Sequence, residues 1–149
     1  MFHRETYMSK HTCSTIVFHC IDFRTIKETT KFLDNKCGLG DCDIVSVAGA
    51  GKGIADNNEI FRNYLLRQIR LSHDLHGARN VILIHHSDCG VYNDCYQFNS
   101  IDEEKEKQII DMKKTEEIIK ENFPDMAIEK VWAQLLDSNG EKIEFITVN

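Results

Sequence analysis

The chain alternates short apolar runs with longer stretches in which apolar residues recur every three or four positions. Ile16-Val17-Phe18 and Val81-Ile82-Leu83-Ile84 are the clearest runs. Both are rich in β-branched residues and lack polar alternates, the pattern of strands buried on both faces. Strands are therefore predicted over residues 14–20 and 81–86, with a shorter one over 43–48. Three helices are predicted between and after them. The first starts at Thr25, reaches about Asn35 and stops at Gly38. The second follows Asp56, carries Phe61, Tyr64, Leu65 and Leu75 on roughly one side, and ends at Gly77. The third runs from Ser100 to about Asn122, where Pro124 stops it. Its stripe is Ile109, Met112, Ile119 and Phe123, interrupted by Glu116. Thr25-x-x-Glu28, Asp56-x-x-Glu59 and Ser100-x-x-Glu103 read as capping boxes. Asp102, Glu103 and Glu104 suit a helix N-terminus and read as a solvated face. Residues 128–136 and 142–148 flank the turn Asp137-Ser138-Asn139-Gly140 and predict a hairpin. Residues 90–99 read as a loop, and residues 1–13 as an irregular arm.

The resulting order, β-α-β-α-β-α-β-β, predicts an α/β fold. It has a mostly parallel central sheet of four strands, an antiparallel edge strand, and helices on both faces. Such sheets bind ligands beyond the carboxyl ends of the strands, where the winding reverses. If the first and third strands flank that reversal, residues at their ends meet.

Composition narrows the function. The 149 residues fit a single domain, 1–149. The net charge of −6 and the lack of a Lys/Arg cluster argue against nucleic acid or an anionic membrane as partner. No apolar run is long enough to span a bilayer. Residues 1–5 have no apolar h-region, so no signal peptide is expected. Six cysteines without an export signal imply a reducing, cytoplasmic setting. There, cysteines serve as buried thiols, metal ligands or catalytic thiols.

Both predicted buried strands end in soft metal ligands. The first runs into His19-Cys20-Ile21-Asp22-Phe23-Arg24, the third into His85-His86-Ser87-Asp88-Cys89-Gly90. Thiolate and imidazole together favour zinc over magnesium or calcium, which prefer oxygen. Cys20, His86 and Cys89 supply three ligands, leaving a fourth position for water, as in catalytic zinc sites. Zinc lowers the pKa of that water toward roughly 7. Asp22 could accept a hydrogen bond from the water or fill the fourth position itself. Arg24 could hold Asp22 in a bidentate pair.

Cys-x-Asp-x-Arg after the first strand and His-x-x-Cys-Gly after the third resemble the metal signature of the β-class carbonic anhydrases. Here they stand as Cys20-Ile21-Asp22-Phe23-Arg24 and His86-Ser87-Asp88-Cys89-Gly90. The resemblance covers roughly residues 14–148. It implies zinc on Cys20, His86 and Cys89, and an Asp22–Arg24 dyad. It also implies hydration of carbon dioxide to bicarbonate through a zinc-bound hydroxide. Homodimers or higher homo-oligomers, with sites near the subunit interface, are implied as well. Where that family carries an Arg-Asn-Ala-Gly-Asn-like segment, this chain has Ser46-Val47-Ala48-Gly49-Ala50.

Other readings stand beside this one. Carbonyl sulfide or carbon disulfide hydrolysis would use the same kind of site. A non-catalytic zinc protein would close the metal with Asp22. A thiol redox protein is disfavoured by the lack of Cys-x-x-Cys. His85 should point away from His86 across the strand, as a core or surface histidine; His19 reads the same way. His73 and His76 read as an exposed pair, and Cys13, Cys37, Cys42 and Cys95 as plain thiols. Residues 49–53 fail the nucleotide-loop spacing, since Ile54 stands where a third glycine belongs. Their small residues suit close approach of the backbone to the metal pocket or to a partner chain, and Gly90 suits a turn in the ligand loop.

Overall fold

A computed structural model describes residues 11–149 of the chain. Strand β1 is Thr15–His19, helix α1 Ile26–Lys36 and strand β2 Cys42–Ser46. A four-residue helix α2, Lys52–Ala55, leads into α3, Glu59–His76. Strand β3, Asn80–His86, is followed by the short α4, Gly90–Cys95, and the long α5, Ile101–Asn122. The chain closes on β4, Ala127–Leu135, and β5, Ile143–Val148.

The sheet order is β2-β1-β3-β4-β5. All neighbours are parallel except β4 and β5, in keeping with four parallel strands and an antiparallel edge. The winding reverses between β1 and β3, so the carboxyl ends of those strands flank the switch point. Ile16, Phe18, Val81 and Leu83 face one side and pack on Leu65 and Ile69 of α3 and Met112 and Ile119 of α5. Val17, Ile82 and Ile84 face the other, against Leu33 of α1. This two-sided burial explains why β1 and β3 carry unbroken apolar runs.

Several local expectations are corrected. Thr25 makes no side-chain cap; its hydroxyl donates to the Asp22 carbonyl at 2.9 Å. Asn58, not Asp56, caps α3, accepting the Phe61 N–H at 3.1 Å. Asp56 instead ends α2 and pairs with Lys52. Ser100 does cap α5, accepting the Glu103 N–H. The core stripe of α3 is Leu65, Ile69 and Ser72. Tyr64 and Leu75 lie about a quarter turn round from Leu65 and are exposed, while Phe61 is only partly covered. Residues 90–95, read as loop, form α4. Residues 1–10 of the arm lie outside the described residues.

Candidate metal centre

Cys20 follows the last residue of β1, His86 ends β3, and Cys89 precedes α4. The switch point brings all three together in the interior. Their ligand atoms lie within 4.8 Å of one another. His86 Nδ1 is 2.7 Å from the Ser87 carbonyl, which can only accept, so Nδ1 carries the proton. Nε2 then holds a free lone pair. It is buried and, among the described residues, without a hydrogen-bond partner. A buried acceptor left open beside two buried sulfurs fits a cation of the zinc class, as does the donor set. Metal-bound histidines commonly donate their other N–H to a carbonyl in this way.

The neighbouring Cys89, with His86 and the Gly49 backbone, holds the Cys20 thiol pKa down, whereas Cys20 and burial push that of Cys89 up. Binding of a metal by both sulfurs would require both as thiolates.

Asp22 Oδ2 lies 3.8 Å from His86 Nε2. Arg24 grips that carboxylate through Nη2 at 2.7 Å and through Nε at 3.1 and 3.2 Å, and its own N–H reaches Oδ1 at 2.9 Å. Hydrogen bonds from Arg24 outweigh burial and hold the Asp22 pKa below its usual value. Arg24 also reaches across to the other ligand loop, with Nη1 on the Asp88 carboxylate and Nη2 on the Asp88 carbonyl, both at 2.9 Å. Asp22, Arg24, Ala48, Asp88, Val91 and the 86%-exposed Phe23 line a cleft of about 500 Å³.

The turn in the ligand loop is made by Asp88, in the left-handed region at φ 54°, and not by Gly90. Gly49 and Ala50 are also left-handed. A methyl group on Gly49 would come within 2.8 Å of Val91, so the small residues do serve close approach.

Glu104 is the main residue missed from sequence. It is only 4% exposed, and its carboxylate accepts the N–H groups of Asp88 and Cys89, each at 2.9 Å. Gln108 donates to Glu104 and to the His86 carbonyl, and its oxygen meets His85 Nδ1. His85 Nε2 accepts the Gly51 N–H at 3.1 Å. His85 is thus a buried core histidine whose pKa burial lowers to about 4. His19 is also buried, with Nδ1 unpartnered among the described residues. His73 and His76 are not an exposed pair: His73 binds Asp74 and Asp125, and His76 binds Asp43.

Residues 9–144 match a family model described as "Putative carbonic anhydrase". The chain belongs to this carbonic anhydrase family. A sequence relative, an uncharacterized protein of Rickettsia bellii, is 29% identical over 92% of this chain and 84% of its own length. Among solved structures, the β-carbonic anhydrase isoform I of Trichomonas vaginalis matches with a TM-score of 0.59 and 14% identity, covering 93% of this chain and 84% of that one. The carbonic anhydrase of Glaciozyma antarctica gives 0.57 and 19%, covering 99% and 89%. A carbon disulfide hydrolase gives 0.50 and 17%, covering 88% and 78%. At these identities the likeness to solved structures is one of fold, and the fold is that of the β-carbonic anhydrases. Among the described residues no helix is long and apolar enough to cross a membrane.

Proposed function

We propose that this chain is a zinc-dependent carbonic anhydrase that hydrates carbon dioxide reversibly to bicarbonate. Cys20, His86 and Cys89 hold the metal, and Asp22 and Arg24 form the acid–base pair beside it. The observation that supports this most is the open Nε2 of His86, buried among two sulfurs and 3.8 Å from a carboxylate that Arg24 fixes.

When bound, zinc supplies Lewis acidity and brings the pKa of a coordinated water toward neutrality. The remaining work falls to the protein. Arg24 keeps Asp22 ionised and fixed, so Oδ2 can take up a proton and pass it to solvent at the cleft mouth. Ala48, Val91 and Phe23 give the cleft an apolar wall suited to a small uncharged substrate. The exposed Ile21 and Phe23 at its rim suit burial against a second copy, so a homodimer or higher homo-oligomer belongs to the proposal. A cytoplasmic location fits six free cysteines.

The closeness of Asp22 to His86 also supports a second reading, in which Asp22 is the fourth ligand and the centre is silent. Stopped-flow hydration of carbon dioxide by zinc-loaded protein, run beside sulfide release from carbonyl sulfide and carbon disulfide, tests both. Hydration that falls at least about 100-fold in Asp22→Asn while zinc content holds supports the enzyme. Sulfide release without hydration moves the substrate to the sulfur compounds. No turnover on any of the three, with zinc retained, favours the silent centre.

A further inference from the structure

A second group of possible ligands lies at the opposite end of the sheet. Cys13 precedes β1, Asp43 is the second residue of β2, and His76 closes α3. Their ligand atoms also lie within 4.8 Å of one another. Asp43 Oδ2 is the hub, with His76 Nδ1 at 2.7 Å, Ser72 Oγ at 2.7 Å and Cys13 Sγ at 3.4 Å. The ring of His11 packs edge-on against that of His76, with centroids 4.8 Å apart.

Hydrogen bonds outside the cluster's own ligand atoms hold this arrangement in place. The Cys13 N–H donates to the His76 carbonyl at 3.0 Å. Ser14 is tied to Asp41, through its hydroxyl at 2.6 Å and its N–H at 3.0 Å. Segments far apart in sequence are therefore held in place with a thiol, a carboxylate and an imidazole converging and a second imidazole adjacent. That mixed set suits zinc and not magnesium or calcium. Zinc bonds of about 2.0–2.3 Å place tetrahedral ligands roughly 3.3–3.7 Å apart. Asp43 Oδ2 lies 2.7 Å from His76 Nδ1 and 3.4 Å from Cys13 Sγ, close to that range. Ser72 would keep its bond to Asp43, the support that ligating carboxylates receive in metal sites.

We propose that Cys13, Asp43 and His76 form a second, structural site for a zinc-class divalent cation, with His11 or water in the fourth position. Binding releases the Cys13 thiol proton to solvent, and the Nδ1 proton that faces Asp43 moves through solvent to Nε2, so that the neutral His76 ring turns its Nδ1 lone pair on the ion. The ion would clamp the segment before β1 to α3 and β2. It lies a strand's length, roughly 16 Å, from the centre at the carboxyl ends. Its occupancy therefore does not depend on the catalytic proposal.

Cobalt titration of the full-length, metal-stripped chain, followed by its sulfur-to-cobalt absorption, tests the site. Circular dichroism checks that each variant is folded. The parent should take two equivalents. Cys13→Ser and His76→Gln should each take one, with the two-sulfur spectrum intact. Cys89→Ser should keep an equivalent whose spectrum Cys13→Ser removes. A parent with one equivalent, unchanged in both Cys13→Ser and His76→Gln, overturns the proposal and leaves a hydrogen-bonded clasp. One equivalent lost in Cys13→Ser but kept in Cys89→Ser upholds this site and removes the catalytic one.

Discussion

Glu104 accepts the backbone N–H of Cys89 at 2.9 Å from inside the fold, with no cation of its own as partner among the described residues. Its other oxygen takes the Asp88 N–H, so one carboxylate clamps the two residues that shape the ligand loop. Groups of this kind orient ligands and typically carry 10–100-fold in metal affinity. Glu104→Gln replaces one acceptor by an amide that faces an N–H. We expect zinc affinity, measured by competition with a chelator, to fall about 10–100-fold. Unfolding free energy should drop by only about 1–3 kcal/mol.

Arg24 spans the two ligand loops through Asp22 and Asp88. A lysine is a point charge and cannot form both forks. Arg24→Lys should therefore slow hydration at least about 100-fold with zinc content unchanged. Asp88→Asn, which keeps the carbonyl contact and the Asp22 pair, should do much less. Stopped-flow rates beside metal analysis check both.

Gly140, in the β4–β5 turn, has φ 71° and sits directly on the Arg24 backbone. A methyl group there would fall 2.1 Å from the Arg24 carbonyl oxygen. Gly140→Ala should cost about 1–3 kcal/mol in denaturant unfolding and also reduce hydration, because the Arg24 loop must move. Gly38 is the control: its φ is 83° with open space around it. Gly38→Ala should also cost about 1–3 kcal/mol, from backbone strain alone, and leave the rate unchanged.

His73 Nδ1 and Nε2 meet Asp74 and Asp125, and these hydrogen bonds raise its pKa above the ordinary value. A raised folded-state pKa means the native chain holds the proton more tightly than the unfolded one. The resulting stabilisation is complete below about pH 6.5 and is lost as pH rises through the folded value. Melting curves should show the parent losing stability on this account between mildly acidic and alkaline pH. In His73→Gln that component should vanish. The effect should be small, since the pair is partly exposed.

The order of elements was legible because β1 and β3 are buried on both faces and announce themselves as apolar runs; that they are neighbours at the switch point was only a condition, which the sheet order meets. The meeting of Cys20, His86 and Cys89 was legible because Cys20 and His86 stand at the ends of two such runs and Cys89 follows three positions later. Glu104 was not. It sits in an acidic first turn beside Asp102 and Glu103, which are exposed, and charge alone does not tell the three apart. A signal was nonetheless present. Glu104, Gln108, Asp111 and Thr115 recur at helical spacing and share the buried stripe of α5 with Met112 and Ile119. Reading that stripe from apolar residues only hides them. The α3 side was misplaced for the opposite reason: Tyr64 and Leu75 are apolar in sequence but lie about a quarter turn round the helix from the buried Leu65 and are exposed. Cys13, Asp43 and His76 are too far apart in the chain for any motif; only the pairing of β1 with β2 and the C-terminus of α3 unites them.

The shared metal is the claim on which the catalytic account depends, and zinc-edge anomalous diffraction from crystals of the zinc-loaded protein tests it most directly. The account predicts an anomalous peak within bonding distance of Cys20 Sγ, Cys89 Sγ and His86 Nε2 together. Zinc-loaded crystals with no peak among those three atoms would contradict it.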